Sequence, residues 1–141
     1  MAGYSGTPLQ QKLGIKPEHR LAVLGAPGEF EKTLGKLPAG VKVVKKLAGK
    51  TRHDVIVCFV TAKAALKKEL PRLVQAMEEN AGLWVAWPKK SSGVATDVTE
   101  DTVRELALPK GLVDNKVCAI DDTWSGLRCV IRLENRGKKR S

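Results

Sequence analysis

The stretch Asp54-Val-Ile-Val-Cys-Phe-Val60 constrains the fold more than any other. Its apolar residues run on without a break. A strand with one wet face alternates apolar and polar residues, so an unbroken run marks a strand covered on both faces. Such strands belong to parallel sheets with helices on either side, and the remaining segments supply those parts.

Leu21-Ala-Val-Leu24 is a second apolar strand, stopped at Gly25, and Leu83-Trp-Val-Ala-Trp87 is another, stopped at Pro88. Val41 to Leu47 reads as a less buried strand, because Lys42, Lys45 and Lys46 lie in it. Leu66, Leu70, Leu73, Val74 and Met77 form one helical stripe at i, i+4, i+7, i+8 and i+11, with Lys67, Lys68, Glu69 and Glu78 off it. Pro71 within that stripe predicts a kink or a new first turn, and Gly82 ends the helix. Thr99 is an N-cap, with Glu100 and Asp101 facing the helix dipole; that helix runs to about Leu108 and is closed by Pro109 and Gly111. Short helical turns are expected over Leu9–Leu13, closed by Gly14, and Glu29–Leu34, closed by Gly35. Lys116-Val-Cys-Ala-Ile120 and Leu127-Arg-Cys-Val-Ile131, joined by Asp121–Gly126, read as a hairpin. The alternation gives a mostly parallel sheet with right-handed crossovers and a C-terminal antiparallel hairpin. Residues 1–8 are expected to be a flexible arm, 9–134 one domain and 135–141 a basic tail.

The 141 residues suit one core, and 43% hydrophobic content is enough to fold it. No apolar run approaches the roughly 20 residues of a membrane helix. The N-terminus has neither a basic nor an apolar leader region, so a cytoplasmic location is expected. Cys58, Cys118 and Cys129 lack zinc or redox spacing. Cys118 and Cys129 could face each other across the hairpin; in a reducing cytosol all three read better as small buried hydrophobes. The net charge of +10 favours an anionic partner such as nucleic acid, with the densest basic spots at Lys89-Lys90 and Arg136–Arg140. An aromatic content of 4% supplies a stacking platform for single strands poorly.

Lys12-Leu-Gly-Ile-Lys-Pro-Glu-His-Arg-Leu-Ala-Val-Leu-Gly25 is similar to the L-G-x-K-P-G-x-R segment that many S-adenosylmethionine-dependent methyltransferases carry before their first strand. Gly82-Leu-Trp-Val-Ala-Trp87 resembles their strand that follows a glycine-ended helix, and the hairpin resembles the reversed strand that ends their fold. The resemblance covers most of residues 9–133. It implies a Rossmann-like three-layer α/β sandwich lacking about one strand–helix unit. More narrowly, Ser5–Pro17, Trp84–Lys90 and Leu112–Gly126 resemble the bacterial family named "domain of unknown function 3052", which brings a fold and no activity.

A methyltransferase needs a glycine-rich turn after its first strand, an acid at the end of its second to hold the ribose hydroxyls, and pocket residues at the end of the next. The turn here, Gly25-Ala-Pro-Gly28, has two glycines, and Pro27 removes a donor. The second strand runs out into Leu47-Ala-Gly-Lys50 with no acid. The turn reads as a plain strand-to-helix turn or as a cofactor loop. The departures favour the first, so no cofactor is expected, with S-adenosylmethionine as the alternative.

Open parallel sheets bind ligands beyond the carboxyl ends of their strands. The topology gathers there Gly25, Gly28, Thr61, Trp87, Lys89, Lys90, Ser91, Ser92, Asp121, Asp122 and Trp124, which are the candidate ligand-binding residues. Trp87–Gly93 reads as a flexible basic loop suited to a phosphate-like anion, or equally as a solvated loop whose Trp87 caps the core. Asp121-Asp122 are acid–base groups or metal ligands on one reading and turn formers on the other. No histidine accompanies them in sequence, which favours the turn and leaves no catalytic residue or metal site expected. His19 and His53 flank strand starts, at the opposite edge. The expected function is a small cytoplasmic methyltransferase-like domain without catalysis, binding an anionic partner at the carboxyl edge of the sheet. Its rivals are an active S-adenosylmethionine-dependent methyltransferase with a divergent loop, and an oligomeric partner pairing through an exposed edge at residues 127–133.

Overall fold

The computed structural model describes residues 8–137; the expected N-terminal arm, apart from Pro8, and residues 138–141 of the basic tail lie outside the described residues. The elements are α1 (Leu9–Lys12), β1 (Arg20–Leu24), α2 (Phe30–Leu34), β2 (Lys42–Val44), β3 (His53–Phe59), α3 (Lys63–Gln75), β4 (Met77–Pro88), α4 (Glu100–Ala107), β5 (Leu112–Ala119) and β6 (Trp124–Ile131). They build one six-stranded sheet in the order β2-β1-β3-β4-β6-β5. β2, β1, β3 and β4 pair in parallel, and β6 runs against both β4 and β5. No described helix is long and apolar enough to cross a membrane.

The central run behaves as its composition requires. Val55, Val57 and Phe59 of β3 enter the core beneath α1 and α2, while Ile56 and Cys58 enter the core beneath α3 and α4. β4 divides in the same way, with Trp84 and Ala86 on the first side and Leu83, Val85 and Trp87 on the second. Burying a side chain of this size is worth about 1.5–3 kcal/mol, so these two strands carry much of the stability. The Trp84 indole, fully buried, donates its N–H to the carbonyl of Leu13 (3.0 Å) and so fixes the end of α1 over the sheet. No helix joins β2 to β3. Residues 45–52 make that link, and Leu47 packs on the α3–α4 core.

Four expectations are corrected. Pro71 neither breaks nor restarts α3, which runs as one helix from Lys63 to Gln75. The helix ends well before Gly82: Met77 already pairs with His53, and Gly82 pairs with Val55 inside β4. Met77 fits the helical stripe only because a strand residue happens to fall at i+11. Cys118 lies opposite Gly126 and Cys129 opposite Asp114, and the two thiols sit on different faces of the sheet. No disulfide links them. Burial pushes the Cys58 and Cys129 thiols up to about 12, as befits inert core residues. Lastly, residues 127–131 are no edge: β6 is flanked on both sides, and the edges are β2 and β5.

The expected cap is present. Thr99 accepts from the Thr102 N–H (3.2 Å) and Thr102 reciprocates, while Glu100 and Asp101 occupy the first turn of α4. Arg104 ties that helix to β5 through Asp114 (3.0 Å). Glu18, where the methyltransferase-like segment has glycine, sits at φ 68°, a conformation that costs a non-glycine residue about 1–2 kcal/mol.

His53 opens β3 at 2% exposure, and neither ring nitrogen has a hydrogen-bond partner among the described residues. Burial lowers its pKa, Arg20 lowers it further, and Asp54 and Glu78 offset part of this. Between the folded value and the unfolded value of about 6.5, the unfolded chain binds more protons, so acid favours unfolding. The urea midpoint is therefore expected to fall from pH 7.5 to 5.5 and to level off below the folded pKa. His53→Leu is expected to flatten that slope, and an unchanged slope in the variant would remove His53 as its source.

Candidate functional site

Parallel pairing sends the chain out of β1, β3 and β4 at one edge, and β6 enters the sheet there. Ten of the eleven candidate residues reach this edge through Gly25–Gly28, Thr61, Lys89–Ser92 and Asp121–Trp124. The eleventh, Trp87, lies one residue before the end of β4 and is buried in the α3–α4 core, as a core cap.

Gly25 is required by local geometry. Its φ is 68°, and a Cβ there would lie 3.1 Å from the Phe59 carbonyl oxygen. Gly28 has nothing within 4 Å of such an atom. The turn leads directly into α2, with Phe30 donating its N–H to the Pro27 carbonyl (3.1 Å). Beside it lies a cleft of about 680 Å³, lined by Val23, Phe30, Leu34, Leu37 and Val43 as well as by the turn. The residue that follows β2 is Lys45, and it pairs with Glu31 of α2 (3.2 Å). A cation therefore stands where an adenosine-type cofactor needs an acid for its ribose, and Pro27 has no N–H to offer. On these two points the turn departs from a loop that holds S-adenosylmethionine; Glu31, on α2, is the carboxylate that lines the cleft.

Several of the remaining groups hold the edge together. Asp121 Oδ1 accepts the N–H groups of Thr123 (2.8 Å) and Trp124 (2.7 Å), which closes the β5–β6 turn. Lys89 donates its ammonium to the Asp121 carbonyl (2.8 Å) and its N–H to the Thr123 carbonyl (2.7 Å). Ser92 donates to the Lys89 carbonyl (2.6 Å) within a single 3-10 turn, Lys90–Ser92. The stretch expected as a flexible loop is thus pinned at several points. Trp124 stacks edge-on against Phe59 (5.1 Å), which in turn meets Phe30 (4.9 Å). Thr61, Lys90, Ser91 and Asp122 stay exposed.

Some edge residues escape a reading of the sequence. Asp97 accepts the Lys63 N–H at the start of α3 (2.7 Å), and the Thr96 hydroxyl donates to the Thr61 carbonyl (2.6 Å). Each spans over thirty residues, which no local spacing reveals. At the opposite edge, Arg128 was a visible signal as the one charge within Leu127–Ile131.

No family model matches the sequence, and no curated protein matches it. Solved structures do match. A methyltransferase dependent on S-adenosylmethionine from Aquifex aeolicus superposes with a TM-score of 0.62 at 14% identity, covering 88% of each chain. The ribosomal protein L11 methylase of Lactobacillus delbrueckii subsp. bulgaricus gives 0.61 at 12% identity, covering 88% of this chain and 75% of the other. Magnesium protoporphyrin IX methyltransferase of Synechocystis PCC 6803, with its cofactor bound, gives 0.61 at 12% identity over 82% of this chain and 71% of its own. This is the methyltransferase fold. The six-stranded sheet with its reversed β6 matches the Rossmann-like architecture expected, and at these identities the likeness concerns the methyltransferase fold alone.

If Asp121 closes the turn, its removal acts on stability. Asp121→Ala is expected to cost about 1–2 kcal/mol in urea unfolding, because two N–H groups lose their acceptor. Asp121→Asn, which keeps an acceptor oxygen, is expected to recover most of that; an unchanged midpoint in the alanine variant would free Asp121 for another role.

Proposed function

We propose that this chain is a methyltransferase-fold binding protein of the cytoplasm that transfers no methyl group. In this reading it is a member of the "domain of unknown function 3052" family, and it takes an anionic partner, nucleic acid in particular, at the carboxyl edge of the sheet. The observation that carries the reading is the engagement of the edge's polar groups within the fold. Asp121 closes a turn, Lys89 clamps it, and Lys45 with Glu31 occupies the place of a ribose-binding acid. An acid–base centre needs a titratable group free to meet a substrate. An anion-binding surface needs only exposed cations and donors. Lys90 and Ser91 meet that need on a 3-10 turn closed by Gly93, and the chain's +10 charge supports it at long range.

The test is fluorescence anisotropy with a labelled single strand of roughly 20 nucleotides, titrated across ionic strength. Binding is expected at low salt, with log affinity falling linearly against log salt. Lys90→Ala is expected to weaken it and to lower the salt slope by about one. Negligible or salt-independent binding would overturn the proposal.

A further inference from the structure

The opposite edge of the sheet holds a cleft of about 370 Å³ that plays no part in the reading above. The end of α1 and the residues after it border it on one side, and the amino-terminal parts of β3 and β4 border it with β5 and β6 on the other. Lys12, Lys16, Lys116 and Arg128 line it, against Asp54 as its one carboxylate. That carboxylate already accepts the Arg20 N–H (2.8 Å).

Arg128 is the centre of this arrangement. It interrupts an apolar strand and lies over the backbone of Gly82 in β4, where a Cβ would stand 2.5 Å from its Nε. Glycine at that position is what lets the guanidinium settle against the sheet. Among the described residues Arg128 forms no ion pair; it donates to the Asn115 side-chain oxygen (3.3 Å). A guanidinium carries five N–H donors in a planar fork, so most of its capacity is open. Burial lowers the pKa of Arg128, and the charge of Arg136 lowers it further. An anion in the cleft would relieve both. The wall opposite is fixed, since Trp84 holds Leu13 from below and Lys116 donates to the Lys12 carbonyl (3.3 Å). The site is built before any ligand arrives, which reduces the ordering cost of binding.

We propose that this cleft binds a phosphorylated small molecule. The Arg128 fork grips the phosphate, the lysines neutralise its charge, and the amides of Asn80 and Asn115 meet the polar remainder of the ligand. The volume lies within the range of small-ligand pockets and exceeds what a lone phosphate fills. The proposal is independent of the anionic surface at the carboxyl edge, because it rests on other residues at the other end of the strands.

Pyrophosphate is the probe, titrated calorimetrically into the full chain at low salt. Saturable binding of one equivalent is expected, weakened at least about tenfold by Arg128→Gln. Arg128 touches the sheet and its variant risks misfolding, so Lys16→Ala, at an exposed position, serves as the second variant and is expected to weaken binding several-fold. Lys68→Ala on the outer face of α3 removes the same unit of charge and is expected to change nothing. No heat at millimolar pyrophosphate, or equal losses in Lys16→Ala and Lys68→Ala, would overturn the proposal.

Discussion

A strand that is apolar on both faces must be covered twice, and most of this structure follows from that demand. β3 and the second half of β4 meet it together, with α1 and α2 on one side and α3 and α4 on the other. Coverage brings a polar cost with it. The Trp84 indole N–H is buried among apolar groups and would lose its hydrogen bond to water without replacement, a penalty of about 1–3 kcal/mol. The Leu13 carbonyl removes that penalty, and in doing so it fixes a four-residue helix that could not hold its place alone. The wall of the amino-edge cleft is a by-product of satisfying one donor.

The carboxyl edge obeys the same rule with a different outcome. Its loops are short of regular structure, so their backbone groups need partners from side chains. Asp121, Lys89, Ser92, Thr96 and Asp97 supply them. In a fold whose ligands usually lie at that edge, the side chains suited to chemistry are here drawn into holding the loops. Likeness of fold carries the frame, and the function has to be argued from the groups left free on it.

The frame was legible because its signals are local. The unbroken run at Asp54–Val60, the helical stripe from Leu66 to Val74, the Thr99 cap and the glycines after α1 and α2 each announce an element by composition or spacing. The failures are equally physical. Met77 satisfied a helical period and a strand position at once, and nothing local distinguishes them. The register of the hairpin, which separates Cys118 from Cys129, is set by a shift between Asp114 and Lys116 that the sequence does not mark. The gathering of those residues at the carboxyl edge was legible from topology, since strand ends follow from strand order. The engagement of its side chains was not, because each partner lies far off in the chain. Turn formation was the weighted choice for Asp121, and the two N–H groups it accepts are in keeping with that choice.

The central claim is that the groups at the carboxyl edge serve the fold and leave no working cofactor site beside Gly25–Gly28. Calorimetric titration of the purified chain with S-adenosylmethionine tests it most directly. The account expects no saturable heat at millimolar cofactor. Binding in the micromolar range, lost on Gly25→Val in a variant that still folds, would contradict it and would make the turn after β1 a working cofactor loop.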